Sequence, residues 1–483
     1  MNVQVLPTLV QLAKESLLKK ENLSISDLED LPGELFPSLF KEAFDSRKLT
    51  ILRAMVAVWP FPVLPLGSLM VTLDWKTTVA MLDGLDDLLA MKVPSRRCKL
   101  QVLDLRIMCQ NFWIAWAGTE EESSFLDVIA DKRTLVKHPR SGVKQPMKVS
   151  VFLSLRSCTG DMDKSLVYLL RWARQRKGSV QLLCEKMDIW PLSYCSLSEY
   201  LDLVQLDSVE ELELKGEWSM RSLAHFGVYI RQMRNLSKFF LSASKETKQC
   251  FNPPSSKLTR VYIDKFTSQF SHLGCLRHLG LNGVNFLRDH LENVLGGLKT
   301  PLETLSLTNC LLSPKDFKYL SECPNIGQLK HLNLSGVQLF FLPPQSFPAV
   351  LERVTGTLQT LDLEGCLTKD FQVNMLLPAL SRCSQLTRIN FYDNRISLQA
   401  LKDLLLHTAN LSQLTMELYP APRESYQEDG VLLNERFAQL CSQLMDTLRA
   451  IREPKIVLFS SISCPFCRSR LVCDLGPPVF FFE

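Results

Sequence analysis

At 483 residues, 46% of them hydrophobic and 22% charged, the chain can bury a sizeable core, which excludes general disorder. Lys and Arg number 55 against 51 Asp and Glu, and the resulting net charge of +4 gives no strong nucleic-acid signal. Fifteen scattered cysteines are too sparse for a small disulfide scaffold; with no signal-peptide pattern in MNVQVLPTLVQLAKESLLKK, a cytoplasmic and/or nuclear, reducing setting is expected.

The first predicted element is an amphipathic helix over TLVQLAKESLL (8–18), with Leu9, Leu12, Ala13 and Leu17 towards one side. Within it Thr8, Leu9, Ala13 and Leu17 are spaced like the elongin-binding box of cullin–RING substrate receptors, in which a leucine enters a pocket and a small residue permits close approach. An ordinary capping helix has the same pattern. ELFPSLFKEAF (34–44) predicts a second helix with a stripe of Leu35, Phe36, Leu39, Phe40 and Phe44, and Pro37 in its first turn. VAVWPFPVLPLGSLMV (56–71) is the most apolar stretch, yet it is too short for a membrane span and carries prolines at 60, 62 and 65, so no membrane partner is expected. A third helix is expected at about 75–91.

From residue 100 the pattern changes to L-x-x-L-x-L. Leu100, Leu103 and Leu105 form a first rung, MKVSVFLSL (147–155) is a strand, and Val209/Leu212/Leu214 and Leu236/Phe239/Leu241 follow. KETKQCFNPPSSK (245–257) then supplies a loop before a regular series: Leu276/Leu279/Leu281, Leu302/Leu305/Leu307, Leu329/Leu332/Leu334, Leu358/Leu361/Leu363, Leu386/Ile389/Phe391 and a weaker Leu411/Leu414/Met416. The first residues are 26, 27, 29, 28 and 25 apart, a period that matches leucine-rich repeats built of one strand and one helix. Alternate strand residues point to opposite faces, so each inward ladder needs cover from its own helix and from neighbouring repeats. The expected fold is α/β: a curved leucine-rich-repeat horseshoe, parallel strands on the concave face, helices on the convex face, behind an N-terminal helical cap. The outward positions, candidates for a protein-binding face, are His278, Gly280, Asn282; Thr304, Ser306, Thr308; His331, Asn333, Ser335; Thr360, Asp362, Glu364; and Arg388, Asn390, Tyr392. A solvated sheet without a ligand is the alternative. Position nine of each unit (Val284, Cys310, Val337, Cys366, Asn394) suits a small apolar group, a thiol, or an Asn that bonds backbone.

Enzyme motifs do not stand out: there is no Gly-rich phosphate loop, H-E-x-x-H pair or G-x-S-x-G elbow. Basic stretches at 131–148 and 171–177 lack the aromatic interleaving of base stacking in the first case and read equally as solvated surface. L-x-x-L-L strings at Leu85–Leu89, Leu166–Leu170 and Leu401–Leu405 fit either a helix docking into a nuclear-receptor groove or core packing. In the tail, Cys464, Cys467 and Cys473 offer three thiols for structural zinc, for redox exchange, or as plain reduced cysteines. No cofactor is expected, and zinc is the minority reading.

The strings ELFPSLFKEAFDSRK, ILRAMVAVWPFPVLPLGSLM, CKLQVLDLR, FTSQFSHLGCLRHL, PLETLSLTNCLLS, CSQLTRINFYDNRIS and LYPAPRESY, in this order over nearly the whole chain, resemble the PRAME family (preferentially expressed antigen in melanoma). The resemblance implies a substrate-recognition adaptor of a cullin-2–RING ubiquitin ligase, reached through elongin B/C, with Thr8, Leu9, Ala13 and Leu17 as the elongin contact. It also implies negative regulation of retinoic-acid-receptor transcription, differentiation and apoptosis, increased proliferation, and germline expression. The tail departs from the family's C-P-x-C-G pattern, with Arg468 after Cys467 and a VFFFE terminus. The expected organisation is a helical cap with the elongin-box-like helix (1–99), irregular repeats (100–275), regular repeats (276–425) and a C-terminal cap with the cysteine tail (426–483). Alternatives of another class are a non-catalytic nuclear-receptor corepressor and a germline interaction scaffold; the protein substrate is unknown.

Overall fold

A computed structural model describes residues 9–19, 24–67, 69, 75–91, 95–106, 113, 146–156, 164–191, 194–243, 257–464, 467, 469–474 and 479–481. Thr8, most of the basic stretch 131–148 and nearly all of the 245–257 loop lie outside the described residues. The chain divides into two compact units, residues 1–187 with 192–209, and residues 188–191 with 210–483.

The first unit opens with α1 (Leu9–Lys19), α2 (Ile25–Glu29), α3 (Leu35–Asp45) and α4 (Leu49–Ala57). Ser24 and Asp27 cap α2 reciprocally, each side chain bonding the other's backbone N–H. In α3 the stripe read from the sequence is the packed face: Phe36, Leu39, Phe40, Ala43 and Phe44 are buried. Phe40 meets Trp59 edge-on at 5.3 Å and stacks on Trp113 at 5.6 Å, geometries that favour the ring quadrupoles. Trp59 lies within the apolar 56–71 stretch, where Val56, Ala57, Val58, Leu64, Leu66 and Leu69 are also buried and β1 (Val63–Pro65) starts the sheet. Next come α5 (Trp75–Ala90), β2 (Val102–Asp104), β3 (Met147–Leu155), a helix over Lys164–Gln175, β4 (Val180–Ile189), a helix over Tyr194–Leu201 and β5 (Val204–Gln205). β1 pairs parallel with β2, β2 with β3 and β5 with β4.

The second unit carries β6 (Glu211–Lys215), β7 (Lys238–Ser242), β8 (His278–Asn282), β9 (Thr304–Thr308), β10 (His331–Asn333), β11 (Thr360–Asp362), β12 (Arg388–Asn390), β13 (Met416–Pro420) and β14 (Ile456–Ser460), each parallel to the next. Register places Leu212, Phe239, Leu279, Leu305, Leu332, Leu361 and Ile389 side by side, and all are buried. Each such burial contributes roughly 1.5–3 kcal/mol against an exposed side chain. Helices follow most strands; those starting at Pro314 and Leu398 are capped by Ser313 and Ser397. Asp316 accepts from Asp289 N at 3.0 Å and Leu291 N at 3.2 Å, tying one repeat's helix start to the previous repeat's turn.

The turn leaving each strand is equally regular. Gly283, Asn309, Gly336, Gly365 and Asp393, one residue past the outward trio, all have positive φ, the conformation these residue types tolerate best. At position nine Asn394 donates to the carbonyls of Leu363, Phe391 and Tyr392, while the thiols of Cys310 and Cys366 reach the Leu281 and Leu334 carbonyls.

Two expectations are corrected. The curved horseshoe of parallel strands is not the observed architecture. The fold is α/β with a mixed sheet that is not strongly curled. After β14 the chain turns back, β15 (Arg470–Cys473) pairing antiparallel with β14 and β16 (Val479–Phe481) antiparallel with β15. Strand leucines report inward faces but neither strand direction in a non-repeating tail nor sheet curvature. The last rung is also shifted: Arg388 opposes Met416 and Ile389 opposes Glu417, so the inward residues of β13 are Glu417 and Tyr419. A carboxylate in a leucine position is invisible to a hydrophobic pattern.

Candidate protein-binding face

On the face opposite the ladder, side chains from successive strands meet laterally. His278 Nδ1 lies 2.9 Å from Thr304 Oγ1, and His331 Nδ1 lies 2.9 Å from Thr360 Oγ1. Burial holds both imidazoles below the usual histidine range, so they are neutral near pH 7 and pair with hydroxyls as uncharged groups. Asn282 donates to Ser242 Oγ at 3.2 Å and accepts from Asn309 at 3.0 Å. Ser335 Oγ donates to Asp362 at 2.8 Å and is 2.6 Å from its acceptor on Asn333. Thr304, Ser306, Thr308, Asn333, Thr360 and Asp362 are half-buried, and Arg388 is exposed. The face is thus a lattice of short polar side chains that exchange donors and acceptors, suited to recognition by hydrogen bonding.

Its far end is closed. Arg470 of β15 lies against it, donating to Glu364 Oε1 at 2.8 Å, standing 3.6 Å from Asp393 and placing its guanidinium 4.9 Å above the Tyr392 ring. Glu364 also accepts from Asn390 Nδ2 at 3.0 Å, and Asn390 and Tyr392 are buried. Two of the sequence candidates, Glu364 and Tyr392, therefore meet the protein's own arginine, and a third, Asn390, is tied to it through Glu364.

Sequence reading missed Arg470, which stands in a non-repeating tail. It also missed an ion-pair row beside the face, in which Glu303 accepts from Arg277 at 2.8 Å and Lys330 at 2.8 Å. Those two bonds hold the Glu303 carboxyl down at about 2. The readable signal was opposite charge at the second position of consecutive rungs. Phe240, half-buried on this face, occupies the space that a side chain at Gly280 would fill.

The other candidates sit apart. Leu9 starts α1 but its side chain is outside the described set; Ala13 is exposed, Leu17 half-buried and Leu18 buried. Leu12, on the same helix, is 48% exposed. Of the L-x-x-L-L strings, Leu85, Leu88, Leu169, Leu170, Leu401, Leu404 and Leu405 are core. In the 171–177 stretch Arg174 pairs with Glu199 and Arg176 with Asp86. In the tail Cys464 is half-buried and Cys467 exposed with its sulfur 2.9 Å from Ser469 Oγ, whereas Cys473 is buried and its reduced thiol accepts a hydrogen bond from the reduced Cys441 thiol. Among the described residues no group of three or more His, Cys, Asp or Glu is arranged to hold a metal ion.

Comparison with known proteins agrees from end to end. The PRAME N-terminal domain model matches residues 6–113 and the PRAME C-terminal domain model residues 147–479. Human PRAME family member 12 is 44% identical over 477 residues, covering 99% of this chain and 97% of its own. Human PRAME family member 8 is 43% identical and covers 99% of both chains. Among solved structures, the Rad7–Elc1 complex of yeast aligns with a TM-score of 0.28 at 15% identity, over 52% of this chain and 76% of that one. LegL7, a leucine-rich-repeat-containing protein from Legionella pneumophila, aligns at 0.32 and 13% identity, over 63% and 98%. Similarity that low carries no functional argument. The sequence matches show the family: the chain belongs to the PRAME family.

Proposed function

We propose that this protein is a non-catalytic adaptor, the substrate receptor of a cullin-2–RING ubiquitin ligase, with α1 docking elongin C of an elongin B/C pair and the polar sheet face of the second unit selecting a protein substrate. The observation that carries the reading is α1 itself: it places Leu12 and Ala13 in solvent and buries Leu18, leaving apolar surface available to a partner. Thr8, Leu9, Ala13 and Leu17 are the proposed elongin contacts. Substrate selection falls to the open part of the face, from His278 and Asn282 across Thr304, Ser306 and Thr308 to His331, Asn333, Thr360 and Asp362. Family-type repression of transcription, differentiation and apoptosis, and cytoplasmic and/or nuclear localisation, belong to the same proposal. No helix among the described residues is long and apolar enough to cross a membrane.

Co-purification tests it. The intact protein should retain elongins B and C, whereas Leu9→Ser and Ala13→Lys should each lose them; Ala13 is exposed, so that variant should stay folded. Failure of the intact protein to retain elongins, under conditions in which an established receptor does, would refute the ligase reading.

A further inference from the structure

We propose that Phe340, Phe341, Leu367 and Phe371 form a docking surface for an apolar protein segment that carries carboxylates. Single exposed apolar residues are ordinary, but clusters of large ones mark contact sites. Here the four are 40%, 69%, 48% and 55% exposed. Phe340 and Phe341 meet edge-on at 5.3 Å, and the Lys369 ammonium sits 4.2 Å over the Phe340 ring, which brings the 367–371 turn beside the aromatic pair. Backbone contacts fix that neighbourhood: Leu339 N donates to the Cys366 carbonyl at 3.1 Å, and Thr368 N to Asn394 Oδ1 at 2.9 Å.

Leu367 adds an independent sign. Its φ of 55° is a left-handed conformation that a leucine adopts only at a steric cost, and it turns this apolar side chain into solvent.

Charge fixes the class of partner. The carboxylates nearby are engaged within the protein: Asp370 accepts from Ser397 N at 2.7 Å and stands 3.6 Å from Arg423, Glu424 accepts from Leu398 N at 2.9 Å, and Asp393 holds Ser463. The cations Lys369 and Arg395 are exposed at the rim, Arg395 at the turn position equivalent to Leu367 in the next repeat. An apolar floor with a cationic rim is complementary to an amphipathic segment bearing Glu or Asp. None of its residues is among those assigned to elongin binding or to substrate selection, so it stands or falls independently of elongin binding.

The test uses the full chain and three probes: a fluorescent synthetic amphipathic peptide of Leu, Phe and Glu, its counterpart with Lys for every Glu, and phosphatidylserine vesicles. By fluorescence anisotropy the Glu peptide should bind, and the Lys peptide at least about tenfold more weakly. Phe341→Ser and Lys369→Glu should each weaken the Glu peptide about tenfold with unchanged thermal midpoints, because both side chains are exposed. Equal binding of the two peptides, or none, overturns the proposal. So does vesicle binding lost on Phe341→Ser without peptide binding, which would assign the surface to lipid. Self-association abolished by Phe341→Ser would assign it to a second copy of the chain and overturn the proposal as well.

Discussion

Replacing Arg452 by alanine should destabilise the second unit by about 3 kcal/mol. Glu417 occupies the inward position that Ile389 and Leu361 hold in the preceding rungs, and it is 1% exposed. Its charge is met by Arg452 Nη2 and by the Tyr419 hydroxyl, which donates to Glu417 Oε2 at 2.7 Å. Removing the arginine leaves a buried carboxylate with one neutral donor, a loss that ordinarily costs about 3–5 kcal/mol. The arginine side chain is 13% exposed, so entering water offsets part of that cost and places the expectation at the lower end. The converse change differs in kind. Glu417→Leu restores the apolar ladder but strands Arg452, and should cost about 1–3 kcal/mol. Glu417→Leu with Arg452→Met removes both charges, and should lie within about 1 kcal/mol of the parent or above it, because Arg452 Nε has no hydrogen-bond partner among the described residues. Urea unfolding of the parent, Arg452→Ala, Arg452→Met, Glu417→Leu and the double variant, followed by tryptophan fluorescence and near-ultraviolet circular dichroism, closes the Glu417→Leu/Arg452→Met cycle. A cost below about 1 kcal/mol for Arg452→Ala, or a double variant as unstable as the two single losses added, would refute the view that this pair is a compensated charge in a hydrophobic ladder.

Two further outcomes are expected. Arg470→Gln should cost about 2–3 kcal/mol and speed amide exchange across β15, since the arginine side chain is 3% exposed while its partner Glu364 is 29% exposed; unchanged exchange would show that the tail is held by other contacts. Glu303 has a carboxyl pKa of about 2 in the folded chain against an ordinary 4.5, so its ion pairs stabilise fully above about pH 4.5 and lose that contribution as pH falls towards 2. The groups are near the surface, so Glu303→Gln should remove at most about 1 kcal/mol at neutral pH, less in high salt, and flatten the acid limb of the stability profile; an unaltered limb would count against the pairing.

Much of the candidate face was legible because strand geometry is local. His278, Thr304, His331 and Thr360 alternate with leucines that must be buried, so their direction followed from a period of two. The positive-φ turns carry a local signal that the sequence reading passed over, Gly, Asn or Asp one residue beyond each outward trio. Their lateral bonds were less legible, since His278 reaches Thr304 across 26 residues only once register is set. Arg470 was not legible at all: 106 residues separate it from Glu364, and no periodicity connects the two. The same holds for the exposed Phe340–Phe371 cluster, whose residues follow no repeat spacing and are left outside only by the packing.

By itself, then, the sequence determined which side chains enter the interior of the five clear repeats from Leu276 to Phe391 and where their strands lie, because hydrophobic alternation acts over a few residues. The tertiary structure alone decided the mixed strand directions at the carboxyl end, the admission of Glu417 to the ladder and the closing of the polar face by Arg470. Those outcomes rest on charges and hydrogen bonds between segments far apart in the chain, whose worth depends on how much water folding removes from around them.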